Sequence, residues 1–169
     1  MKRVVLCLLL MASLPIRAQV AAKHVEEPPR ELAGDRIRSP MELRFPLAVA
    51  DRSQWGVGEV RRDPIAKYIC EGVSYRDFST EAAQPRDGKV KVTFRLLLYD
   101  EPGIDKRVDL SIGVLHGDTV IGSAVLKNLK VGERKSVTKE MTIELPSSEI
   151  DGVSPAPVVR LTTVVRDDP

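Results

Sequence analysis

Four acidic residues fall within ten positions around a Pro-Gly pair: Asp100, Glu101, Asp105 and Asp109. So many carboxylates could bind calcium, which needs several oxygens converging on one point and usually a regular acid spacing with a glycine at a tight bend. Here Asp100 and Glu101 are adjacent, and Pro102-Gly103 suits the centre of a type II turn. The spacing therefore favours a hairpin connection rich in solvated acids over a metal loop, and we predict no metal site.

A nucleophilic enzyme would need a base beside its nucleophile. Cys70 and His116 form the one Cys/His combination outside the N-terminal segment, but Cys70 stands among apolar neighbours and His116 at a predicted turn. The sequence contains no Gly-rich phosphate loop, no His/Cys metal spacing and no serine in a strand-to-helix elbow. We therefore predict a protein that is not an enzyme and has no cofactor.

The N-terminus has the layout of a secretory signal peptide. Lys2 and Arg3 precede an apolar run from Val4 to Leu14, and the small residue Ala18 follows. The run is shorter than the roughly 20 residues that a membrane-spanning helix needs, and an uncleaved anchor is the alternative. We predict that residues 1–18 are removed, that the mature chain has no transmembrane helix, and that the protein is exported to the periplasm or beyond the cell.

Removal of the signal peptide would change the charge of the chain. The full sequence has 26 basic and 24 acidic side chains, a net charge of +2. Without Lys2, Arg3 and Arg17, 23 basic side chains would face the same 24 acids, so the net charge would be −1. No Lys/Arg cluster remains that would follow a nucleic-acid backbone, and we predict no nucleic-acid partner.

Removal of residues 1–18 would also leave Cys70 as the single thiol of an exported chain. An intramolecular disulfide is then impossible. Three alternatives remain for Cys70: burial as a small hydrophobic residue, a free reactive thiol, or pairing with another chain.

From Lys89 onward, apolar residues alternate with polar ones, as expected for half-buried strands. In KVKVTFRLLLYD one face carries Val90, Val92, Phe94, Leu96 and Leu98. Similar alternation covers residues 108–114 and 137–145, and a β-branched run covers 158–165. Gly117-Asp118 suits a two-residue hairpin that sets Leu115 opposite Val120 and Val114 opposite Ile121. These strands, with Pro46 suited to a sheet edge, predict an antiparallel two-sheet sandwich.

The segment LKNLKVGERKSVTKEMTIELP resembles a pattern of bacterial extracellular immunoglobulin-like and fibronectin type III-like domains. In that pattern a leucine, a Gly-Glu turn and an alternating strand ending near proline follow in order, and the resemblance covers Lys89 to Pro169. It implies an immunoglobulin-like sandwich and an extracellular setting. It implies no activity, because such domains serve unrelated roles.

Residues 51–88 depart from the alternation. In DPIAKYICEG, Asp63 suits a helix N-cap, Pro64 the first helical position and Gly72 a C-terminal stop, so we predict a short helix, with a strand as the alternative. The predicted organisation is a signal peptide (1–18), a flexible arm (19–40) and one sandwich domain (41–169) in which 51–88 is an insertion.

The same segment holds four of the seven aromatic residues of the chain: Trp55, Tyr68, Tyr75 and Phe78. They either plug the core at one end of the sandwich or anchor an interface, and we predict a binding surface. The predicted function is an exported, non-enzymatic β-sandwich module that binds another macromolecule, such as a protein or a cell-envelope partner, or has a structural role. The alternative is a module that binds carbohydrate or a small ligand through these aromatics.

Overall fold

The computed structural model describes residues 35–62, 65 and 68–168. The predicted signal peptide (1–18) and residues 19–34 of the predicted arm lie outside this part. The described strands are β1 (Asp35–Ile37), β2 (Met41–Pro46), β3 (Val60–Arg61), β4 (Tyr68–Cys70), β5 (Val73–Ala82), β6 (Lys89–Asp100), β7 (Lys106–His116), β8 (Thr119–Val131), β9 (Ser136–Pro146) and β10 (Val158–Asp167). Short 3-10 turns lie at Arg52–Gln54 and Ser147–Glu149.

The strands form two sheets packed into a β-sandwich, as the alternation predicts. The six-stranded sheet has the order β1-β4-β5-β6-β9, with β3 also paired to β5, and the four-stranded sheet has the order β2-β10-β7-β8. All of these pairs are antiparallel except β1 with β4. The predicted class, a mainly β two-sheet sandwich, is confirmed.

The core lies between the sheets and comes from the predicted inward positions. The five apolar residues of β6 from Val90 to Leu98 are fully buried, and so is the inward set of β7 from Val108 to Val114. These strands form because one face of each buries β-branched and large apolar side chains, each worth about 1.5–3 kcal/mol when fully removed from water.

The predicted turns and edges are largely confirmed in the four-stranded sheet. Pro46 ends the edge strand β2, where its missing N–H costs no ladder hydrogen bond. Leu115 faces Val120 across the β7–β8 hairpin as predicted. A register shift at Ile121 then places Gly122, and not the predicted Ile121, opposite Val114. Ile121 is thus the extra residue of a β-bulge in β8. Beyond it, the residues of β8 again alternate between the core side and the outer side of the sheet.

β8 and β9, the edge strands of the two sheets, meet at Gly122. A Cβ at this position would lie 2.5 Å from Leu145 Cδ2 and 2.6 Å from Ile143 Cγ2, both on β9. Both side chains are buried. Only glycine lets the backbone of β8 approach β9 this closely.

Three predictions for the front of the chain are wrong. Tyr68–Cys70 is strand β4 instead of part of a helix, and the described residues contain no α-helix. Residues 51–88 are not an insertion, because their strand β5 pairs along most of its length with β6. The predicted arm includes β1, which pairs with β4, so the sandwich begins at least as early as Asp35. Within the described residues, no helix has the length and apolar character needed to cross a membrane.

Candidate binding surface

The aromatics predicted to form a contact surface lie mainly in the core. Trp55 is 2% exposed, Tyr75 and Phe78 are equally enclosed, and Tyr68 is half-buried. Phe78 packs edge-on against Phe45, with ring centroids 5.3 Å apart. The surface prediction is therefore corrected for Trp55, Tyr75 and Phe78, which have no face open to a ligand. The core plug was the right alternative for these three, because Tyr75 and Phe78 fill inward positions of β5 and Trp55 packs into the same core after the 3-10 turn.

Buried polar atoms of these aromatics are satisfied inside the protein. The hydroxyl of Tyr75 is hydrogen-bonded to Thr163 Oγ1 of β10, which joins the two sheets. Trp55 Nε1 donates to the carbonyl of Val49 at 2.9 Å. Burial raises the pKa of Tyr75 far above its usual range, so the phenol stays neutral.

One part of the predicted segment does border a cavity, here named the Trp55 cleft. It has a volume of about 390 Å³ and is lined by Arg52, Trp55, Pro85, Gly88, Ser147, Ser148 and Asp151. The Arg52 guanidinium lies 5.9 Å from the Trp55 ring centroid, and Asp151 accepts a hydrogen bond from the Arg52 backbone N–H at 3.2 Å. Trp55 contributes only an edge to the cleft because Arg52 covers its ring.

The outer surface of the six-stranded sheet carries paired charges, and we name it the charged face. Arg95 on β6 binds Glu140 on β9 with a nitrogen–oxygen distance of 2.7 Å and also binds Glu59. Lys91 lies 3.6 Å from Glu144, also on β9. These cross-strand partners satisfy one another, so the charges of Arg95 and Lys91 at the centre of the charged face are already paired within the protein.

The outer surface of the four-stranded sheet differs, and we name one part of it the open face. The open face is the part of this surface nearer the β7–β8 hairpin, and its members are Arg44, Pro46, Ser111, Gly113, Leu115, Val120, Ser123, Val125, Val158, Arg160 and Thr162. The other end of the same outer surface carries charged residues: Glu42, Arg107, Asp109, Lys130 and Arg166. Val125 is 59% exposed and Val120 is 46% exposed, although both are apolar. Two charges stand among eleven residues, so the centre of the open face is poor in charge and rich in small or apolar side chains.

Arg160 lies near the middle of the open face on β10. Its register partners are Arg44 on β2 and Gly113 on β7. A Cβ at Gly113 would lie 3.8 Å from Arg160 Nη2 and 3.9 Å from its Nε, so the guanidinium extends over this flat position. Arg44 Nε binds Glu42 at 2.8 Å, whereas Arg160 forms no ion pair with any described residue.

A shallow groove adjoins the two arginines. It has a volume of about 360 Å³ and is lined by Arg44, Phe45, Pro46, Leu115, Gly117 and Val158. The lining is mainly apolar with a cationic side chain at one end. The open face thus combines exposed apolar area, a groove and a guanidinium without an acidic partner.

The acidic stretch near the end of β6 is not the solvated hairpin that the sequence predicts. β6 and β7 belong to different sheets, so residues 101–105 cross from one sheet to the other. Asp100 is 0% exposed and neither carboxylate oxygen has a hydrogen-bond partner among the described residues. Burial raises the pKa of Asp100 to about 6, against the opposing effect of nearby Lys106. The alternation of β6 could have revealed the burial of Asp100. Asp100 lies two residues after the inward residue Leu98, so both side chains point to the same side of the strand.

The other acids of the stretch are bound by cations. Lys130 contacts Asp105 at 2.8 Å and Asp168 at 2.9 Å. The hydrogen bond from Lys130 holds the pKa of Asp105 below its usual value. Within the described ranges, no group of three or more His, Cys, Asp or Glu side chains is placed to hold a metal ion. The absence of a metal site stays a prediction.

Cys70 and His116 lie at opposite ends of the sandwich. Cys70 precedes the turn to Val73, which pairs with Asp100, whereas His116 ends β7. Cys70 is free and fully buried, and burial raises its pKa to about 11, so burial is the correct alternative for this thiol. His116 Nδ1 is hydrogen-bonded to Glu149 at 2.8 Å.

No family model and no curated protein matches this chain. Among solved structures, the chain is similar to one described as "CBM4 structure and function". The alignment covers 57% of this chain and 70% of that one, with 12% sequence identity and a TM-score of 0.20. A TM-score this low carries no information about the ligand of this chain.

Proposed function

We propose that the protein is an exported, non-enzymatic binding module that contacts another macromolecule, a protein at the cell envelope or outside the cell, through the open face. The observation that carries this proposal is the exposure of Val120 and Val125 on a face with few charges. Cores of protein interfaces are depleted in charged residues, and the two exposed valines lie on such a region on either side of Ser123.

Two further features support the proposal. The N-terminal sequence has the layout of an export signal, which supports a site of action outside the cytoplasm. Cys70 is buried with a raised pKa and lies in the other sheet from His116, at the opposite end of the sandwich, which argues against a thiol nucleophile with a histidine base. A binding role needs neither group.

The test uses one bulky substitution on each outer face. Ser123→Trp would place an indole on the open face, and Thr142→Trp would place the same group on the charged face. Each variant is incubated with the native exported fraction, cross-linked, and scored for the partner that the wild-type chain captures. We expect Ser123→Trp to lose capture and Thr142→Trp to keep it, with both melting temperatures near that of wild type. Capture that survives Ser123→Trp, or that is lost only in Thr142→Trp, would contradict the proposal.

A second candidate function is carbohydrate binding in the Trp55 cleft. The observation that favours it is a cavity lined by a guanidinium, a carboxylate and two hydroxyl groups beside an indole edge. Sugars are bound by such donors and acceptors placed next to an aromatic surface. Trp55 is the one tryptophan of the sequence, so its fluorescence reports directly on this cleft. A saturable emission change with an oligosaccharide, abolished in Asp151→Asn, would favour this candidate; no change across a panel of neutral and acidic oligosaccharides would remove it.

A further inference from the structure

The positive charge at the centre of the open face is only partly compensated. Arg160 and Arg44 are direct cross-strand neighbours, and like charges in such positions repel. Glu42 neutralises Arg44 from the same strand at 2.8 Å. Arg160 is therefore the member of the open face whose charge has no acidic partner among the described residues.

The surroundings of Arg160 suit an acidic ligand group. A guanidinium offers several N–H donors in one plane and binds carboxylates through paired, charge-assisted hydrogen bonds. Gly113 and Ser123 continue the row beyond it, and both have small side chains. The Leu115 side chain reaches the same position, since its Cδ1 would lie 4.0 Å from a Cβ at Gly113. Ser111 and Thr162 occupy the next row and add hydroxyl groups. Glu42, at the β2 end of that row, is held by Arg44.

The apolar groove lies two residues along β10 from Arg160, at Val158. Two residues of an extended strand span about 6.8 Å. An extended peptide that runs along β10 would therefore reach both points with side chains at positions i and i+2. An acidic side chain at i would meet Arg160, and an apolar side chain at i+2 would enter the groove beside Pro46 and Leu115.

From this geometry we infer that the open face recognises an extended, acidic peptide segment of its partner, with a carboxylate on Arg160 and an apolar side chain two residues away in the groove. The inference rests on the proposed function and deepens it. The acidic partner fits the local charge, whereas a basic or neutral segment would leave Arg160 beside Arg44 without a counter-ion of its own.

The experiment titrates the full mature chain with synthetic peptides and follows backbone amide shifts by NMR. The probe is acetyl-Ser-Glu-Ser-Leu-Ser-amide. Matched peptides replace Glu by Gln or by Lys, and a spacing control places Glu and Leu side by side. We expect saturable shifts at Val158 and Arg160 with the Glu peptide, and binding at least fivefold weaker for each of the other three.

Two protein variants isolate the role of Arg160. Arg160→Gln removes one charge from the open face, and Arg95→Gln removes one from the charged face, so both change the net charge equally. We expect Arg160→Gln to weaken binding of the Glu peptide about tenfold, as expected for the loss of a charge-assisted hydrogen bond. Arg95→Gln should alter it less than about twofold.

Several results would overturn the inference. They are no saturable shift with the Glu peptide up to about 10 mM, equal binding of the Glu and Gln peptides, or equal losses in the two arginine variants. An acidic oligosaccharide that binds at Arg160 while the Glu peptide does not would also overturn the choice of a peptide. Because partner capture in the Ser123→Trp variant is measured separately, failure of the peptide experiment is distinguishable from failure of the proposed function.

Discussion

The charged face and the open face are built from equally regular strands, yet the arginine at the centre of each face is partnered differently. On the charged face, Arg95 contacts two glutamates from neighbouring segments, and Thr93 and Thr142 are hydrogen-bonded across the strands at 3.1 Å. On the open face, Arg160 lacks an acid and Val125 stands in solvent. The difference indicates that the fold of the sandwich needs only the inner sides of its strands, which leaves the outer side of one sheet available for a partner.

The comparison of the two faces depends on which residues of β8 point into the core. The largest change in the free energy of unfolding is expected when Gly122 is replaced. Gly122→Val should lower the free energy of unfolding by about 3 kcal/mol or more, because the added methyl groups would meet buried Leu145 and Ile143. Ser123→Val, one residue along and facing outward, should change it by less than about 0.5 kcal/mol. Urea unfolding of both variants measures the difference. Equal losses would mean that β8 does not present alternate residues to the core and the open face.

A smaller effect is expected at Asp100, an acid that is buried and unpaired in contrast to the paired acids of the charged face. The folded-state pKa is raised from 3.8 to about 6, so the folded protein binds the proton more tightly than the unfolded chain. The stability linked to this group is therefore fully present below about pH 4 and is lost as the pH rises through 6. Asp100→Asn should increase the free energy of unfolding at pH 7 by about 2 kcal/mol.

The pH dependence separates this explanation from a general effect of charge. Wild type should lose stability between pH 4 and pH 6 relative to Asp100→Asn, and the two should converge below pH 4. Denaturant unfolding at a series of pH values measures the curves. A destabilised Asp100→Asn variant at pH 7 would show that the carboxylate has favourable partners in solution, and the assignment of Asp100 as an unpaired acid would be abandoned.

The smallest expected change in the free energy of unfolding comes from replacing an arginine on either outer face. Arg95→Gln should cost about 0.5–1 kcal/mol, because a partly exposed arginine with two carboxylate partners is lost. Arg160→Gln should cost less than about 0.3 kcal/mol or be slightly stabilising, since it relieves repulsion with Arg44. Thermal unfolding in low and high salt checks the ranking. Equal costs that salt does not alter would remove the electrostatic contrast between the faces.

Much of the fold could be predicted from the sequence because period-two alternation depends only on which face is buried. The inward residues of β6 and β7 follow from it directly, and β10 follows from its β-branched run. Tyr68–Cys70 was predicted as helix because Pro64 and Gly72 are local signals. This segment forms a strand because it pairs with β1 and β5. Such pairing depends on the tertiary structure, which the local signals do not report.

The candidate surface was harder to predict than the fold. The alternation over 108–114 predicts that Gly113 points outward, but its proximity to Arg160 depends on the pairing of β10 with β7, which are separated by β8 and β9 along the chain. Aromatic content drew the prediction to residues 51–88, where Trp55, Tyr75 and Phe78 instead complete the core. Large aromatics mark either an interface or a core, and composition does not separate the two.

The central claim, that the open face makes the functional contact, is tested most directly by site-specific photo-cross-linking. A photoreactive phenylalanine analogue is placed at Val125 on the open face or at Thr142 on the charged face of the exported protein, and the adducts are identified by mass spectrometry after irradiation in the source cells. We predict one dominant protein adduct from position 125 and none above background from position 142. A dominant adduct from position 142, or none from position 125, would contradict the claim.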